Sequence, residues 1–289
     1  MKETPRILGI IGYPLDQTLS PAIHNGACRR MGLPFCYLPF AVAPRYLPNL
    51  LRCMRLTDVE GLNVTTPHKV AVVPLLDGLD LLARRIGAVN TIVLRRGRYI
   101  GYNTDAPAFA TALHAVTRRD WAGASATVLG AGGAARAVIY ALGETGVDQV
   151  TIINRRLTTA AKLVAHFHRA LPRVKMVARR WSTESLRKAM PTTDLLVQAT
   201  TLPYESALRT ALNYIPPSAT VFDLNYGAKT TRIGRLIKRQ GFRYVDGLPM
   251  LIEQAALSFA IFTGRKMDRK GASRDAHNSL IYNAIYKSP

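Results

Sequence analysis

Cysteine, acidic residues and long apolar runs are all scarce in this chain of 289 residues. Its cysteines, Cys28, Cys36 and Cys53, form no C-x-x-C pair, and the six histidines do not cluster. A disulfide framework and a zinc site are therefore not expected, and the thiols read as buried or inert in a reducing cytoplasm. No apolar run approaches the roughly 20 residues that a membrane-spanning helix needs, so no membrane partner is expected. Ile7-Leu-Gly-Ile-Ile-Gly12 is too short for a signal-peptide core and is broken by glycine, so it reads as a first strand. Repeats and low-complexity tracts are missing too.

Acid is outnumbered, 18 Asp+Glu against 39 Lys+Arg, which leaves a formal net charge of +21 and favours acidic partners. Nucleic acid is one such partner, because phosphate neutralisation supplies most non-specific affinity. The basic pairs Arg84-Arg85, Arg95-Arg96, Arg118-Arg119, Arg179-Arg180 and Lys238-Arg239 are scattered over several elements instead of concentrated on one. That pattern fits a basic background that aids capture of anionic small molecules, and specific nucleic-acid binding is not expected. The densest run, Arg265 to Lys270 and on to Arg274, follows the last clear helical pattern and reads as a solvated extension.

With 48% apolar residues the chain is long enough for two modest domains. In the first hundred residues, Ile7–Ile11, Tyr37–Val42, Val59–Val64 and Thr91–Leu94 read as strands, and Ala22–Met31 and Tyr46–Met54 as helices. A second unit starts near Trp121. There Ala126-Thr-Val-Leu129 runs into Gly130 and an alanine-rich helix, and strands follow at Val150–Ile153, Leu195–Val197 and Thr220–Asp223. The alternation predicts an α/β fold with a doubly wound parallel sheet. A further helix is expected between Gly247 and Thr263.

Gly130-Ala131-Gly132-Gly133-Ala134-Ala135 fits G-x-G-x-x-G/A in the strand-to-helix setting that gives this pattern meaning. One glycine permits the turn, the next lets backbone approach a pyrophosphate, and a small residue lets the helix pack on the strand. An NAD-binding protein places an acid about 20 residues further on. Asn154-Arg155-Arg156 stands here instead, and guanidinium groups pair with a 2′-phosphate that a carboxylate would repel, so NADP is the expected cofactor. Upstream, Asn63-Val-Thr-Thr-Pro-His-Lys69 and Gly101-Tyr-Asn-Thr-Asp105 set a lysine and an aspartate after strands. A lysine can move a proton on and off an alcohol oxygen, and an aspartate can hold it. Taken singly, Lys69 could be a solvated lysine, Asn90 a turn residue, Asp105 or Ser20 a helix N-cap, and Gln254 a satisfied polar residue in a packed helix.

These local patterns, together with Thr18-Leu-Ser20-Pro21, His24-Asn25, Gly87-Ala-Val-Asn-Thr91 and Asp246-Gly-Leu-Pro-Met-Leu251 followed by Gln254, resemble the shikimate dehydrogenase family from Ile7 to Gly264. The resemblance implies NADPH-dependent reduction of 3-dehydroshikimate to shikimate, with Lys69 and Asp105 catalytic and no metal. It implies a substrate pocket lined by Thr18, Ser20, Thr65, Asn90, Asp105 and Gln254, with Tyr226 near it. Thr18 and Ser20 would bind the substrate carboxylate. Gly130, Ala131, Gly132, Gly133, Ala134, Ala135, Asn154, Arg155, Arg156 and Gly247 would hold the cofactor. Residues 1–106 and 247–289 are expected to form the substrate domain and 107–246 the nucleotide domain, as a monomer or homodimer. The chain departs from the family's pattern at Gln198-Ala-Thr-Thr-Leu-Pro203-Tyr204, where Asn-Ala-Thr is followed by glycine and methionine, and at Thr159, where a second phosphate-binding arginine is usual. The alternatives are a quinate- or aminoshikimate-directed paralogue, and a non-catalytic ligand sensor or nucleic-acid-associated protein that kept the fold.

Overall fold

The computed structural model describes residues 5–15, 18–57, 59–200 and 204–286. The chain forms two compact units, Met1–Ala108 with Leu251–Pro289, and Phe109–Met250.

In the first unit, β1 (Arg6–Gly12), β2 (Phe35–Ala41), β3 (Val59–Val64), β4 (Gly78–Leu79), β5 (Thr91–Arg95) and β6 (Arg98–Tyr102) form one sheet in the order β2-β1-β3-β5-β6-β4. Its helices are α1 (Ser20–Arg30), α2 (Leu47–Met54), α3 (His68–Ala71) and α4 (Leu81–Ile86), and α5 (Asp105–Thr117) leads onward. The sheet is mixed: β1 runs parallel to β2 and β3, whereas β5 runs antiparallel to β3 and β6. A two-residue turn joins β5 to β6, with Arg96 at φ 51° and Gly97 at φ 73°. Such a hairpin needs positive φ at both positions and usually advertises itself as Asn-Gly. Here arginine takes the first place, so the hairpin between β5 and β6 carries no such signature. Leu8, Ile11, Leu62, Val64 and Ile92 are buried in the core. Edge strand β2 has its Tyr37 N–H and C=O taken by the side-chain amide of Asn25 at 2.8 and 2.9 Å, which closes that part of the edge.

The second unit is built on β7 (Ser125–Leu129), α6 (Gly133–Glu144), β8 (Gln149–Asn154), α7 (Leu157–Ala170), β9 (Lys175–Arg180), α8 (Thr183–Ala189), β10 (Leu195–Gln198), α9 (Tyr204–Leu212), β11 (Thr220–Asp223), α10 (Ala228–Arg239) and β12 (Arg243–Val245). All six strands are parallel, in the order β12-β11-β10-β7-β8-β9. The order reverses between β7 and β10. Loops diverge at such a reversal and leave a crevice beyond the carboxyl ends of the strands, the usual ligand site of this architecture. Leu129, Ile153, Leu196 and Val221 on one face of the sheet pack against Leu186, Leu208 and Ile233.

Two last helices, α11 (Leu248–Thr263) and α12 (Arg269–Tyr286), complete the chain. The solvated extension expected after Arg265 is wrong, since α12 is an 18-residue helix packed against α1. Met267, Ala272 and Ala276 are buried, and Arg30 pairs with Asp275 at 2.7 Å. A Cβ at Gly26 would strike the Asp275 carboxyl, so the glycine sets how near the two helices come. The basic residues mask a thin apolar stripe, and small residues need little of it for close approach.

Candidate active site

In the first unit the chemistry gathers at one edge of the sheet. The C-terminal ends of β1, β3 and β6 and the N-terminal end of antiparallel β5 meet there, as the pairs Ile11 with Val64, Asn63 with Thr91 and Thr91 with Tyr102 require. Lys69 stands on α3, one short turn beyond β3, and its carbonyl accepts the Val89 N–H at 2.8 Å. Its Nζ donates to Asp105 Oδ2 at 2.6 Å, with the two side chains 15% and 4% exposed. Coulomb attraction is strong at this depth, but only a well-bonded pair repays the desolvation of both ions.

The bonding is there. Asp105 Oδ1 accepts from Asn90 Nδ2 at 2.9 Å, and the same amide nitrogen lies 2.8 Å from Thr104 Oγ1 and 3.4 Å from Gln254 Oε1. Asn90 Oδ1 accepts the Thr104 N–H at 2.8 Å. Beneath it, buried Asn63 donates to the Asn90 carbonyl and to Thr91, and accepts from the Tyr37 hydroxyl at 2.7 Å. Asp105 opens α5 without capping it, for Asn103 Oδ1 accepts the N–H groups of Asp105 and Ala106. The carboxylate is thereby left to the lysine. Asn103 and Thr104 were legible only as members of the G-x-N-T-D string, which carried no sign of their individual bonds.

Three hydroxyls lie at the same edge. Ser20 begins α1 but does not cap it, and Thr18 Oγ1 accepts the Ser20 N–H at 3.4 Å. Thr65 follows β3, with its N–H bonded to the Ile11 carbonyl. Neither Ser20 Oγ nor Thr65 Oγ1 has a partner among the described residues. Thr18, Ser20, Thr65, Lys69, Asn90, Asp105 and Gln254 thus all belong to the first unit, whereas Tyr226 is carried by the second, on the loop after β11. His24, quoted with Asn25, is wholly buried and stacked on the Tyr37 ring at 4.2 Å. Burial pushes its pKa down to about 3, so it stays neutral and acts as core.

In the second unit β7 runs into Gly130, whose φ of 115° favours glycine and where a Cβ would lie 2.8 Å from the Ala199 carbonyl oxygen. Gly132 is exposed, and a Cβ there would meet nothing within 4 Å. Open space therefore lies before the N-terminus of α6, which has no side-chain cap and no acid in its first turn. Ala135 is fully buried, while Ala131, Gly133 and Ala134 are half-buried around the turn. Asn154 ends β8, and its Nδ2 donates to the Arg156 carbonyl at 3.0 Å. Arg155 and Arg156 are exposed. Gly247 donates its N–H to the Asn225 carbonyl and sits so close to the Leu224 carbonyl that a side chain has no room. At the end of β10 the Gln198 side chain is fully buried, with neither amide atom bonded among the described residues. Residues 201–203 of the altered loop lie outside the described residues. The glycine turn, the open helix end and the unmet amide fit a bound dinucleotide.

Next to Gln198, sequence reasoning missed Asp223. Its carboxyl is buried and pushed up to about 7, chiefly by desolvation and further by Asp246, against bonds from Asn225 N–H, Asn225 Nδ2 and the Tyr244 hydroxyl. Asn225 also reaches the Thr200 carbonyl at 3.3 Å and so ties the loop after β10 to the loop after β11.

Comparison with known proteins finds family matches along most of the chain. The model of the shikimate dehydrogenase substrate binding domain matches residues 10–92, that of shikimate / quinate 5-dehydrogenase residues 112–216, and that of the shikimate 5′-dehydrogenase C-terminal domain residues 247–272. Shikimate dehydrogenase (NADP(+)) of Halothermothrix orenii is 36% identical over 268 residues, 91% of this chain and 93% of its own. The protein of the same name from Symbiobacterium thermophilum is 40% identical over 265 residues, 90% of each chain. The crystal structure of shikimate 5-dehydrogenase from Thermus thermophilus, in complex with NADP(H) and shikimate, superposes with a TM-score of 0.80 at 36% identity, covering 95% of this chain and 99% of that one. With relatives of this closeness over nine-tenths of its length, and with the lysine–aspartate pair and glycine turn its sequence promised, the chain belongs to the shikimate dehydrogenase family of NADP-dependent oxidoreductases.

Proposed function

We propose that the chain catalyses the reversible NADPH-dependent reduction of 3-dehydroshikimate to shikimate, with the acid held by the first unit and NADP by the second. The observation that carries this reading is the buried pair of Lys69 and Asp105 at 2.6 Å, set at one sheet edge beside hydroxyls with unused capacity. Lys69 gives a proton to the substrate oxygen as negative charge develops on it, and takes one back in the reverse direction. An ammonium has three donors and Asp105 uses one, which leaves donors for the substrate oxygen. Asp105, fixed through its other oxygen by Asn90, orients the lysine and accepts from a neighbouring substrate hydroxyl. Thr18 and Ser20 hold the carboxylate, and Thr65, Asn90 and Gln254 grip the ring hydroxyls, with Tyr226 near the acid.

NADP, when bound, supplies or accepts the hydride. The turn from Gly130 to Ala135 and the N-terminus of α6 take its pyrophosphate, Asn154, Arg155 and Arg156 its 2′-phosphate end, and Gly247 lets backbone approach it closely. The partners are small molecules. The reading keeps a monomer or homodimer in the cytoplasm without specific nucleic-acid binding; the cysteines are free, and no helix among the described residues is long and apolar enough to cross a membrane. Following NADPH absorbance with shikimate, quinate and both nicotinamide cofactors tests the reading. Turnover of shikimate with NADP is expected, and purified protein that turns over no cyclic hydroxy acid would overturn it.

A further inference from the structure

We propose that Arg180, on the strand beside the one that carries Asn154, is a second arm of the site for the 2′-phosphate of NADP. The proposal rests on the NADP reading above and replaces a gap in it, for the residue expected to carry a second arginine is Thr159, on the first turn of α7.

The register of the sheet brings the missing cation back from elsewhere. β8 and β9 run parallel with Asn154 paired to Arg180, and the Trp181 N–H donates to the Asn154 carbonyl at 2.9 Å. Residues paired across neighbouring strands project to the same face, one strand spacing apart, about 4.8 Å. Ile153 packs on the face covered by α8, α9 and α10, with Leu186, Leu208 and Ile233. Asn154 and Arg180 therefore project to the opposite face, where the dipeptide Arg155-Arg156 turns the chain into α7. Arg180 is exposed, and it shares with Arg155 and Arg156 the property of having no carboxylate partner among the described residues. With Arg180 paired to Asn154 and Arg155-Arg156 next in the chain, three arginines branch from neighbouring strand ends without a carboxylate partner among the described residues, and a phosphate dianion between them would take bidentate bonds.

Two local details point the same way. α7 is 14 residues long, Arg156 at its N-cap contributes no side-chain cap, and its first turn holds no acid, so its leading N–H groups add to the positive field. The bond from Asn154 Nδ2 to the Arg156 carbonyl fixes the turn from which Arg155 and Arg156 project. Arg180 reaches the phosphate from the side of β9, where an arginine at 159 would have reached it from the helix.

The test compares binding of adenosine 2′,5′-bisphosphate and adenosine 5′-monophosphate, which differ only in the 2′-phosphate, by calorimetry, with no hydride transfer involved. The wild type is set against Arg180→Ala, Arg155→Ala and, as a control for loss of one charge, Arg173→Ala in the exposed turn before β9. Arg180→Ala should weaken the 2′-phosphorylated nucleotide on the order of tenfold, the scale of one charge-assisted pair at an exposed site, and change adenosine 5′-monophosphate by less than about twofold. Arg180→Lys should recover part of the loss, and Arg173→Ala should leave both ligands unchanged. In turnover, the KM for NADP should rise by the same factor with kcat kept. Equal weakening of both nucleotides, or an effect no larger than that of Arg173→Ala, would overturn the role of Arg180. If Arg155→Ala alone loses the selectivity, NADP preference stands and Arg180 is only a solvated arginine. A wild type that binds the two nucleotides alike removes the NADP reading and this proposal together.

Discussion

The strand edges of the two units are built on opposite plans. In the first, the groups around the lysine are already bonded to one another: Lys69 to Asp105, Asp105 to Asn90, Asn90 to Thr104 and Gln254, while the Ser20 and Thr65 hydroxyls beside them have no partner among the described residues. In the second, the polar capacity stays open among the described residues, in a glycine turn with free space before a helix N-terminus, a buried amide without a bonded partner and arginines without a carboxylate partner. The difference follows from what each must do. A group that moves a proton has to be held in one geometry before the substrate arrives. A site that grips a charged nucleotide gains most when its donors have no rival partner.

The largest expected effect comes from breaking the closed network. Lys69→Ala should lower kcat by about 10²–10⁴, the usual contribution of a positioned proton donor, with a smaller change in substrate affinity. A variant that turns over shikimate at the wild-type rate would remove Lys69 from the mechanism. The same change strands the Asp105 carboxylate, and removing one partner of a buried pair costs roughly 3–5 kcal/mol, so thermal unfolding should show a large loss of stability too. Asp105→Asn keeps the shape, removes the charge that orients the lysine, and should damage both KM and kcat.

Breaking the open site should be gentler. Arg155→Ala should raise the KM for NADP on the order of tenfold and leave that for NAD nearly unchanged. Equal effects on both would show that the arginine does not touch the 2′-phosphate.

The units should also differ in how pH moves their stability. Asp223, in the second, is pushed up to about 7, so its contribution is complete below its ordinary value of 3.8 and is lost as pH rises through 7. His24, in the first, is pushed down to about 3, so its contribution is present above its ordinary value of 6.5 and is lost as pH falls towards 3. The two windows overlap with opposite slopes, so in melting curves from pH 3 to 8 Asp223→Asn should remove a fall in stability between about pH 4 and 7, and His24→Leu a rise between about pH 3 and 6.5. Each slope amounts to roughly a few kcal/mol. An unchanged curve for either variant would show that the group is not buried in the charge state assigned to it. The smallest effect belongs to Gly132→Ala, whose Cβ meets no protein atom. Folding should be untouched and affinity for NADP reduced, because the added methyl stands where backbone and pyrophosphate would meet.

Much of this was readable from local patterns. The glycine turn announced itself because a tight turn with positive φ at Gly130 admits few other residues, and Lys69 and Asp105 because both lie just past apolar strands. The N-cap alternative for Asp105 failed at Asn103, a neighbour that takes the helix N–H groups through geometry no pattern displays. The tight hairpin leading into β6 was hidden by an arginine in a glycine-like turn, and α12 by its charge.

By itself the sequence determined the elements whose signal is short in range: alternation in the strands, the strand–glycine–helix turn, the missing acid after β8. The tertiary structure alone decided which of them meet. Asn90 reaches Gln254 across 164 residues, Arg30 reaches Asp275 across 245, and Arg180 stands opposite Asn154 because β9 pairs with β8 in that register and no other. Register and long-range pairing are set by burial of whole faces at once, since a slip by one residue would turn every buried side chain of a strand outward. No short stretch of sequence holds that information.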